Sequence, residues 1–448
     1  MQELSSLRER FTGEIVLPGD PGYDSARAVW NGMIDRRPAI VLRPTDAGGV
    51  ATAIAFAREQ ELAIAVKSGG HSIPGLSTCD DGAVIDLSRM RGVQVDPERR
   101  VAQVNGGSLL GELDERAQSF ALVCPVGVVG HTGVAGLTLG GGMGRLQRRF
   151  GLTIDNLLSV ELVTADGQLV RASEKENGDL FWGLRGAGAN FGIVTSFEFR
   201  LHPLDGAVTH GTVTHPIERA TELASIFRET EEAAPDELWL GFGLGLAAGE
   251  PVATVQVLHC GRVAQAERDL EKLRAFGPPL ADTIEAKPYL VPQGMNDDAM
   301  RWGHRFYMKS GFIPDLPEEL IALLVEHMGR VPDGADGGVS FWAMGGAIAE
   351  VPEDATAFTG REAAFWIAAE ILWDDEALDD RCRNWTRALM DDALPFTSAG
   401  HYVNDVAEAG QDPASIYGAE KYERLVLLKQ AWDPENVFRF NQNVRPEP

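Results

Sequence analysis

The chain has 448 residues, of which 44% are hydrophobic and 24% charged, a size and composition typical of a globular enzyme with two packed lobes. Its formal net charge of -26 disfavours nucleic acid and anionic membranes as partners, because both bind basic surfaces. The 4 cysteines are scattered without a C-x-x-C pair, so we expect neither a metal site nor a disulfide framework. We see no basic-then-apolar signal pattern at the start and no apolar run of membrane-spanning length, so a cytoplasmic protein is the default expectation.

Residues 1–204 contain patterns of alternating strands and helices and form the first predicted segment. Apolar residues at helical spacing predict a helix over residues 46–62, and a short strand follows and ends at Lys67-Ser68-Gly69-Gly70-His71. Residues 159–173 predict a β-hairpin, because Asp166-Gly167 joins two alternating apolar runs and tolerates positive φ. Further patterns predict strands and a helix over residues 82–120, and a helix, a glycine turn and a strand over residues 179–203.

Residues 205–394 have a different texture and form a second predicted segment. Helical patterns occupy residues 217–234, 264–276 and 316–328, and strand patterns occupy residues 237–247, 251–261, 338–348 and 361–373. Such a mixture favours an α+β lobe with an antiparallel sheet. Residues 395–448 form a third segment, which ends in an amphipathic helix and a turn at Asp433-Pro434.

Three glycine-rich stretches carry the strongest chemical signal. They are the loop that ends at His71, residues 127–144 and residues 186–192. The last stretch fails the Rossmann fingerprint, because Phe191 occupies the place of the third glycine and a strand follows rather than precedes it. Glycines at this density let backbone amides approach an anion or a planar ring closely. Two such loops in one lobe suggest a large dinucleotide that is held mostly by main chain.

Several long motifs together resemble a known family of flavoproteins. They are VKSGGHSIPG, HTGVAGLTLGGGMG, RRFGLTIDNLLSVELVTADG, LFWGLRGAGANFGIVTSFEF and the terminal YGAEKYERLVLLKQAWDPENVFRFNQN. In this order they resemble the FAD-linked oxidases of the berberine bridge enzyme-like family, which have the vanillyl-alcohol oxidase fold. The resemblance spans nearly the whole chain and is weakest in the middle. It implies an α+β, two-lobed fold in which both chain ends build the FAD lobe and the middle segment caps it.

The resemblance implies a covalent bond between His71 and the 8α carbon of FAD, with a plain hydrogen-bonded loop histidine as the alternative. Many relatives carry a second bond from a cysteine to flavin C6. Alignment on the end of the second glycine stretch puts that position at Val129, so Cys124 is expected to be a buried residue without a flavin bond. Thr132 matches the position that controls access of oxygen. The full set expected to surround FAD is His71, Lys67, Ser68, Gly69, Gly70, Ser72, Val129, Thr132, Gly133, Gly136, Gly141, Gly142, Gly192, Ile193, Val194, Tyr402, Asn404 and Asn441.

The catalytic candidates implied by the resemblance are Tyr402 and Asn404, which match a Y-x-N signature, together with Glu370. Tyr402 acts as the base in one interpretation and only orients the substrate in the other, since a phenol needs a depressed pKa to accept a proton at neutral pH. Glu370 is the acidic residue inside a strand pattern and is either a second base or an ordinary exposed or paired carboxylate. Aromatic residues on two strands either line the pocket or belong to the core: Phe341, Trp342, Phe365 and Trp366.

The implied reaction is oxidation of a CH-OH or CH-NH carbon of a small molecule by hydride transfer to flavin N5, with O2 reduced to hydrogen peroxide. A flavin dehydrogenase with another electron acceptor, a carbohydrate oxidase, a tailoring oxidase of secondary metabolism and a non-catalytic flavin-binding protein remain open. The sequence leaves the substrate and the oligomeric state unassigned.

Overall fold

Two lobes pack against each other, and the computed structural model describes residues 2–398, 400–408 and 410–446. The first lobe takes residues from both ends of the chain, and the second lobe is the middle of the chain. The predicted first and last segments include residues that lie outside the described ones, namely Met1, Ala399, Ala409, Glu447 and Pro448.

The first lobe contains a four-stranded, a five-stranded and a two-stranded sheet together with helices. Its helices are α1 Gln2–Arg10, α2 Tyr23–Arg27, α3 Ala47–Glu59, α4 Leu110–Gln118, α5 Val134–Leu139, α6 Gln147–Phe150 and α7 Gly178–Ala187. Its strands are β1 Gly13–Val16, β2 Ile40–Pro44, β3 Ile64–Lys67, β4 Ala83–Asp86, β5 Val93–Asp96, β6 Val101–Asn105, β7 Leu122–Val123, β8 Leu157–Val163, β9 Leu169–Ser173, β10 Ile193–Arg200 and β11 His202–Pro203.

The order of strands in this lobe places β3 at the edge of its sheet, and the first glycine loop, which follows β3, lines a cavity that also contains residues of the second lobe. The four-stranded sheet has the order β1-β2-β4-β3, with β3 parallel to β4, and the five-stranded sheet has the order β5-β6-β10-β8-β9 with antiparallel pairs. Strands β7 and β11 pair with each other. The hairpin of β8 and β9 turns at Gly167, whose φ of 84° suits glycine. Both the helix at residues 46–62 and this hairpin were predicted from the sequence, and the structure contains them.

The second lobe is one antiparallel sheet with helices on one face. Its strands are β12 Ala207–Pro216, β13 Leu238–Ala247, β14 Glu250–His259, β15 Ala281–Asp282, β16 Glu285–Pro288, β17 Arg305–Ile313, β18 Ala335–Ala343 and β19 Phe365–Trp373, in the order β15-β12-β14-β13-β18-β19-β17 with β16 on β12. Its helices are α8 Ala220–Glu232, α9 Val263–Asp269, α10 Glu271–Arg274, α11 Leu290–Gln293, α12 Glu318–Met328, α13 Ala347–Glu350 and α14 Asp379–Ala393.

Helices α15 Pro413–Tyr417 and α16 Ala419–Trp432 return the chain to the first lobe, where Leu425 and Leu428 join its core. A buried ion pair also ties the lobes together: Arg361 donates to the two carboxylate oxygens of Asp155 at 3.0 and 2.7 Å. The structure therefore has the two-lobed α+β fold that was predicted. None of the described helices has both the length and the apolar character needed to cross a bilayer.

Candidate active site

A cavity of about 420 Å³ lies between the lobes and is the candidate active site. The first lobe contributes its three glycine-rich stretches, and the second lobe contributes side chains of β17, β18 and β19. The C-terminal segment adds residues 402–406 together with Tyr417, Phe438, Phe440, Asn441 and Gln442. These residues lie hundreds of positions along the chain from the glycine-rich stretches that they face. The cavity thus depends on the packing of both lobes.

The two glycine loops of the first lobe touch backbone to backbone. A Cβ atom added to Gly69 would lie 2.1 Å from the backbone nitrogen of Gly133, far inside any real contact. Gly136 differs, because a Cβ there would meet nothing within 4 Å although the residue lines the cavity. The glycines therefore serve two purposes: Gly69 and Gly133 let the loops meet, and Gly136 keeps cavity space open.

His71 stands at the end of β3 and its following loop, against the cavity wall. Its ring stacks on Trp30 with a centroid distance of 4.9 Å and an interplanar angle of 16°. Burial, with a further contribution from the neighbouring His131, lowers the pKa of His71 to about 3. The imidazole is therefore neutral at physiological pH, with one ring nitrogen free of a proton.

His131, which was not predicted from the sequence, is hydrogen-bonded to His71. Nε2 of His71 and Nδ1 of His131 are 2.7 Å apart, and Nε2 of His131 lies 3.3 Å from the backbone oxygen of Asp297. The carboxylate of Asp297 accepts a hydrogen bond of 2.6 Å from the amide of Gly130. A signal existed in the sequence, since both histidines directly follow a glycine in a glycine-rich stretch.

Tyr402 is buried and its hydroxyl oxygen is held by the second glycine loop. The amides of Gly142 and Met143 donate to it at 3.1 and 3.3 Å, and the side-chain amide of Asn404 donates at 2.9 Å. Burial, with a smaller effect of the Asp405 charge, raises the pKa of Tyr402 well above its usual value. These donors occupy the oxygen lone pairs, so the geometry suits an anchoring role better than proton acceptance.

Two half-buried carboxyl groups, Glu370 on β19 and Asp405 in the C-terminal segment, line the cavity. Burial raises the pKa of Glu370, and burial together with the charge of Glu370 raises the pKa of Asp405 to about 7. Ser340 donates to Glu370 at 3.3 Å, and the indole nitrogen of Trp366 donates to Asp405 at 2.9 Å. The described residues lining the cavity include no lysine or arginine. Within the described lining, the carboxyl pair therefore has no lysine or arginine to neutralise it.

The four aromatic residues singled out on two strands divide into two pairs. Trp342 and Trp366 line the cavity, oppose each other across β18 and β19, and have ring centroids 5.1 Å apart. Phe341 and Phe365 belong to the core beneath the sheet. Successive strand residues point to opposite faces, so the tryptophans face the cavity and the phenylalanines face the helices.

Most residues predicted around FAD line the cavity, and three do not. Lys67 is buried with its ammonium 3.2 Å from Asp86, and Gly141 and Gly142 pack against Phe358 and Thr153. The predicted residues that do line the cavity are Ser68, Gly69, Gly70, His71, Ser72, Val129, Thr132, Gly133, Gly136, Gly192, Ile193, Val194, Tyr402, Asn404 and Asn441.

Cys124 lies in the core of the first lobe and is fully buried, whereas Val129 lines the cavity. Burial raises the pKa of the Cys124 thiol well above its usual value, which keeps the sulfur protonated and unreactive. This position is compatible with the expectation that Cys124 forms no flavin bond.

The cavity lining fits the FAD that the sequence resemblance implies. A bare backbone at Gly136 borders open space, and the other two glycine stretches also present backbone to the cavity. Backbone amides can hold a pyrophosphate without basic side chains, which agrees with the absence of lysine and arginine from the described lining. Asn404 and Asn441 stand at the same cavity, where carboxamides can pair with the polar edge of an isoalloxazine ring.

Besides His131, which is outside the cavity lining, sequence reasoning missed several residues that line the cavity. Asp405 is the most important, and its position directly after the Tyr402-Val403-Asn404 motif was a usable signal. Trp30 lies in a stretch without a recognisable motif, so only the fold brings it to His71. Met308 and Phe306 of β17 are further apolar lining residues that no pattern marked.

Comparison with known families gives two matches. The FAD binding domain model matches residues 38–173, and the berberine and berberine-like model matches residues 402–445. These segments contain both the loop that carries His71 and the Y-x-N motif.

Individual relatives are similar over their full lengths. The chain is 31% identical over 451 residues to (R)-6-hydroxynicotine oxidase of Paenarthrobacter nicotinovorans, covering 97% of each chain. Its fold matches the crystal structure of 6-hydroxy-D-nicotine oxidase from Arthrobacter nicotinovorans with a TM-score of 0.91, 29% identity and 98% coverage of both chains. It also matches the fold of berberine bridge enzyme-like protein 1 of Physcomitrella patens, with a TM-score of 0.91, 24% identity and 100% coverage of both chains.

Proposed function

Because the chain belongs to the berberine bridge enzyme-like family of FAD-linked oxidoreductases, we propose that it is an oxidase that carries FAD on His71 and oxidises the carbon beside the nitrogen of a small cationic amine. The family membership makes the protein an FAD-linked oxidoreductase. The covalent attachment, the amine substrate and the use of O2 are the parts that we propose.

The carboxyl pair supports an amine as the substrate. Glu370 and Asp405 both have raised pKa values because desolvation disfavours their charged forms, and no basic residue of the described lining neutralises them. An ammonium group on the substrate would supply the missing positive charge and favour the ionised carboxylates. A neutral alcohol or sugar would leave the repulsion between the two groups unrelieved.

The apolar wall beside the carboxyl pair supports a substrate with a hydrophobic body. Trp342, Trp366, Phe306 and Met308 line the same cavity as the carboxyl groups. Aromatic faces bind cations and apolar rings and exclude water from the reacting carbon. One relative is named a 6-hydroxynicotine oxidase, which makes an amine carbon a reasonable choice within the family.

The chemistry divides between the cofactor and the protein residues. Bound FAD would supply a two-electron acceptor for the hydride and pass the electrons to dioxygen, forming hydrogen peroxide. Asp405, whose pKa is about 7, would hold the ammonium and take its proton, with Glu370 sharing the negative charge. Tyr402 and Asn404 would keep the second glycine loop in place, and the small side chain of Thr132 would leave room for oxygen.

An anaerobic substrate panel tests this function. Each arylalkyl amine is paired with the alcohol of the same shape, and bleaching of the flavin absorbance is followed in a stopped-flow instrument. We expect the amine of each pair to reduce the flavin at least about tenfold faster, which corresponds to about 1.4 kcal/mol of transition-state free energy.

Admission of air then separates an oxidase from a dehydrogenase. We expect rapid return of the flavin absorbance with release of one peroxide per substrate. Faster reduction by alcohols or sugars would contradict the amine assignment, and slow reoxidation in air together with fast reoxidation by a quinone would identify a dehydrogenase.

A further inference from the structure

A chain of hydrogen bonds behind His71 determines which of its nitrogen atoms carries the proton. The backbone oxygen of Asp297 can only accept, so the Nε2 atom of His131, 3.3 Å away, carries the hydrogen. In a neutral imidazole the other nitrogen then accepts. Nδ1 of His131 is therefore an acceptor for Nε2 of His71, 2.7 Å away.

His71 must take the matching tautomer. Its Nε2 atom must carry the hydrogen that points to His131, so its Nδ1 atom has the free lone pair. Among the described residues, none is hydrogen-bonded to that Nδ1 atom. Stacking on Trp30 restrains the ring plane, and the ring lines the cavity. The hydrogen bonds of His131 and Asp297 therefore determine that Nδ1 is the nucleophilic atom of His71.

The geometry points to His131 as the positioning residue for flavin attachment: it orients His71 so that Nδ1 bonds to the flavin, and it receives the proton that leaves Nε2. This inference rests on the proposed covalent attachment at His71. Asp297 supports it from the second lobe, because its carboxylate is held by the amide of Gly130 while its carbonyl faces His131.

Attachment breaks one C–H bond of the flavin and one N–H bond of His71 and forms one C–N bond. A C–H bond of the flavin 8-methyl group breaks and its proton passes to water, while a bond forms between that carbon and Nδ1 of His71. The Nε2 proton of His71 passes to Nδ1 of His131 and from there to solvent. The electron pair of the broken C–H bond remains on the flavin, which is reduced by two electrons, and dioxygen accepts these electrons and two protons as hydrogen peroxide.

The experiment compares purified wild-type protein with His131→Ala, His131→Asn and Trp302→Phe. The fraction of FAD that stays with the protein after acid precipitation is measured at purification and during incubation with added FAD. Peptide mass spectrometry locates the linked residue, and NMR of the isolated flavin peptide identifies the bonded nitrogen. Trp302 is the packing control, because its ring lies nearly perpendicular to that of His71, with the ring centroids 6.3 Å apart, and forms no hydrogen bond with it.

We expect wild type and Trp302→Phe to be linked through Nδ1 at equal rates, and His131→Ala to be linked at least about tenfold more slowly. His131→Asn is expected to keep the Nδ1 linkage at an intermediate rate, because its amide oxygen can accept the hydrogen bond but cannot take the proton. Wild-type linkage through Nε2, or His131→Ala linked through Nδ1 at the wild-type rate, would overturn the role of His131 alone. Complete release of FAD from wild type by acid would overturn the proposed attachment itself and this inference with it.

Discussion

At the scale of single residues, the acid–base chemistry of the cavity is decided by which polar atoms remain available. The Tyr402 oxygen receives hydrogen bonds from Gly142, Met143 and Asn404, and burial raises the pKa of the phenol further. Asp405 keeps one oxygen for the indole of Trp366 and has a pKa of about 7. A carboxyl group that is half ionised near neutral pH is a better general base than a phenol whose lone pairs are occupied.

Removal of the carboxyl group of Asp405 or of Glu370 should show which of them accepts the substrate proton. Asp405→Asn is expected to slow anaerobic flavin reduction by about 10²- to 10⁴-fold, because the acceptor of the substrate proton is lost. Glu370→Gln is expected to slow it less, because it removes only part of the negative charge that holds the ammonium. Wild-type kcat/KM should rise as the pH increases through about 7, where Asp405 ionises, and this limb should disappear in Asp405→Asn.

Tyr402→Phe is the matched comparison for these variants. It is expected to retain the pH profile and to lose about 1–3 kcal/mol of unfolding free energy, because buried amides of the glycine loop lose their acceptor. A sharp fall in the reduction rate of Tyr402→Phe, with both carboxyl variants near wild type, would instead make the phenol the base that the Y-x-N resemblance implied.

At the scale of elements, the two glycine loops differ from ordinary turns in what surrounds each Cα atom. Gly69 and Gly133 approach each other so closely that neither tolerates a side chain. Gly136, in the short helix α5, has open cavity space in the place of its side chain. Close approach between loops and close approach to a ligand are thus separate requirements that fall on different glycines.

Alanine substitutions at Gly69 and Gly136 should therefore have different effects on folding and on flavin binding. Gly69→Ala is expected to push the loops apart and to cost about 1–3 kcal/mol of unfolding free energy, as overpacking does, with loss of bound flavin. Gly136→Ala is expected to fold normally, since alanine is the better helix former by up to about 1 kcal/mol, but to bind less flavin because its methyl group occupies cavity space. The circular dichroism spectrum and the flavin-to-protein absorbance ratio measure the two effects; a normal flavin content in Gly136→Ala would contradict the assignment of this space to FAD.

At the scale of the whole molecule, the contact between the lobes includes a buried carboxyl group, Asp114, whose ionisation destabilises the folded protein. Asp114 on α4 is 2% exposed and accepts a hydrogen bond of 3.1 Å from Gln293 of the second lobe, while its other oxygen lacks a partner among the described residues. Burial, opposed by that hydrogen bond and assisted by the charges of Asp297 and Glu115, raises the pKa of Asp114 to about 8. The interface therefore favours a protonated carboxyl group.

The third prediction concerns stability against pH. Since the folded pKa of Asp114 is about 8 and the unfolded value is about 3.9, the folded state binds the extra proton between these values, and its stability falls as the pH rises. Relative to Asp114→Asn, wild type is expected to lose unfolding free energy between about pH 5 and about pH 8, by at most about 1.4 kcal/mol per pH unit. Urea unfolding followed by tryptophan fluorescence measures the difference.

Asp333→Asn serves as the control for this comparison, because Asp333 is an exposed carboxylate in the second lobe. The curve of its unfolding free energy against pH should run parallel to that of wild type. Parallel curves for Asp114→Asn and wild type would show that Asp114 is already ionised in the folded protein.

Local patterns in the sequence were enough to predict the loop ending at His71, the hairpin at residues 159–173 and helices within residues 46–62, 217–234, 264–276 and 316–328, because hydrophobic periodicity and glycine turns are properties of neighbouring residues. The long helix α14 was not predicted. Most of the residues that the motifs of the two chain ends predicted around FAD also line the cavity. The fold class followed from the resemblance that these motifs carry.

Tertiary structure alone decided which of these residues meet. Lys67 turns to Asp86 because β3 and β4 pair in parallel register, which no local pattern contains. Strand alternation separated Trp342 and Trp366 from Phe341 and Phe365, but both faces are apolar, so only the helices on one side determine which pair reaches the cavity. His131 meets His71, and Asp405 is influenced by the charge of Glu370, through contacts between distant segments. Such contacts depend on how whole lobes pack, and periodicity along the chain carries no information about that packing.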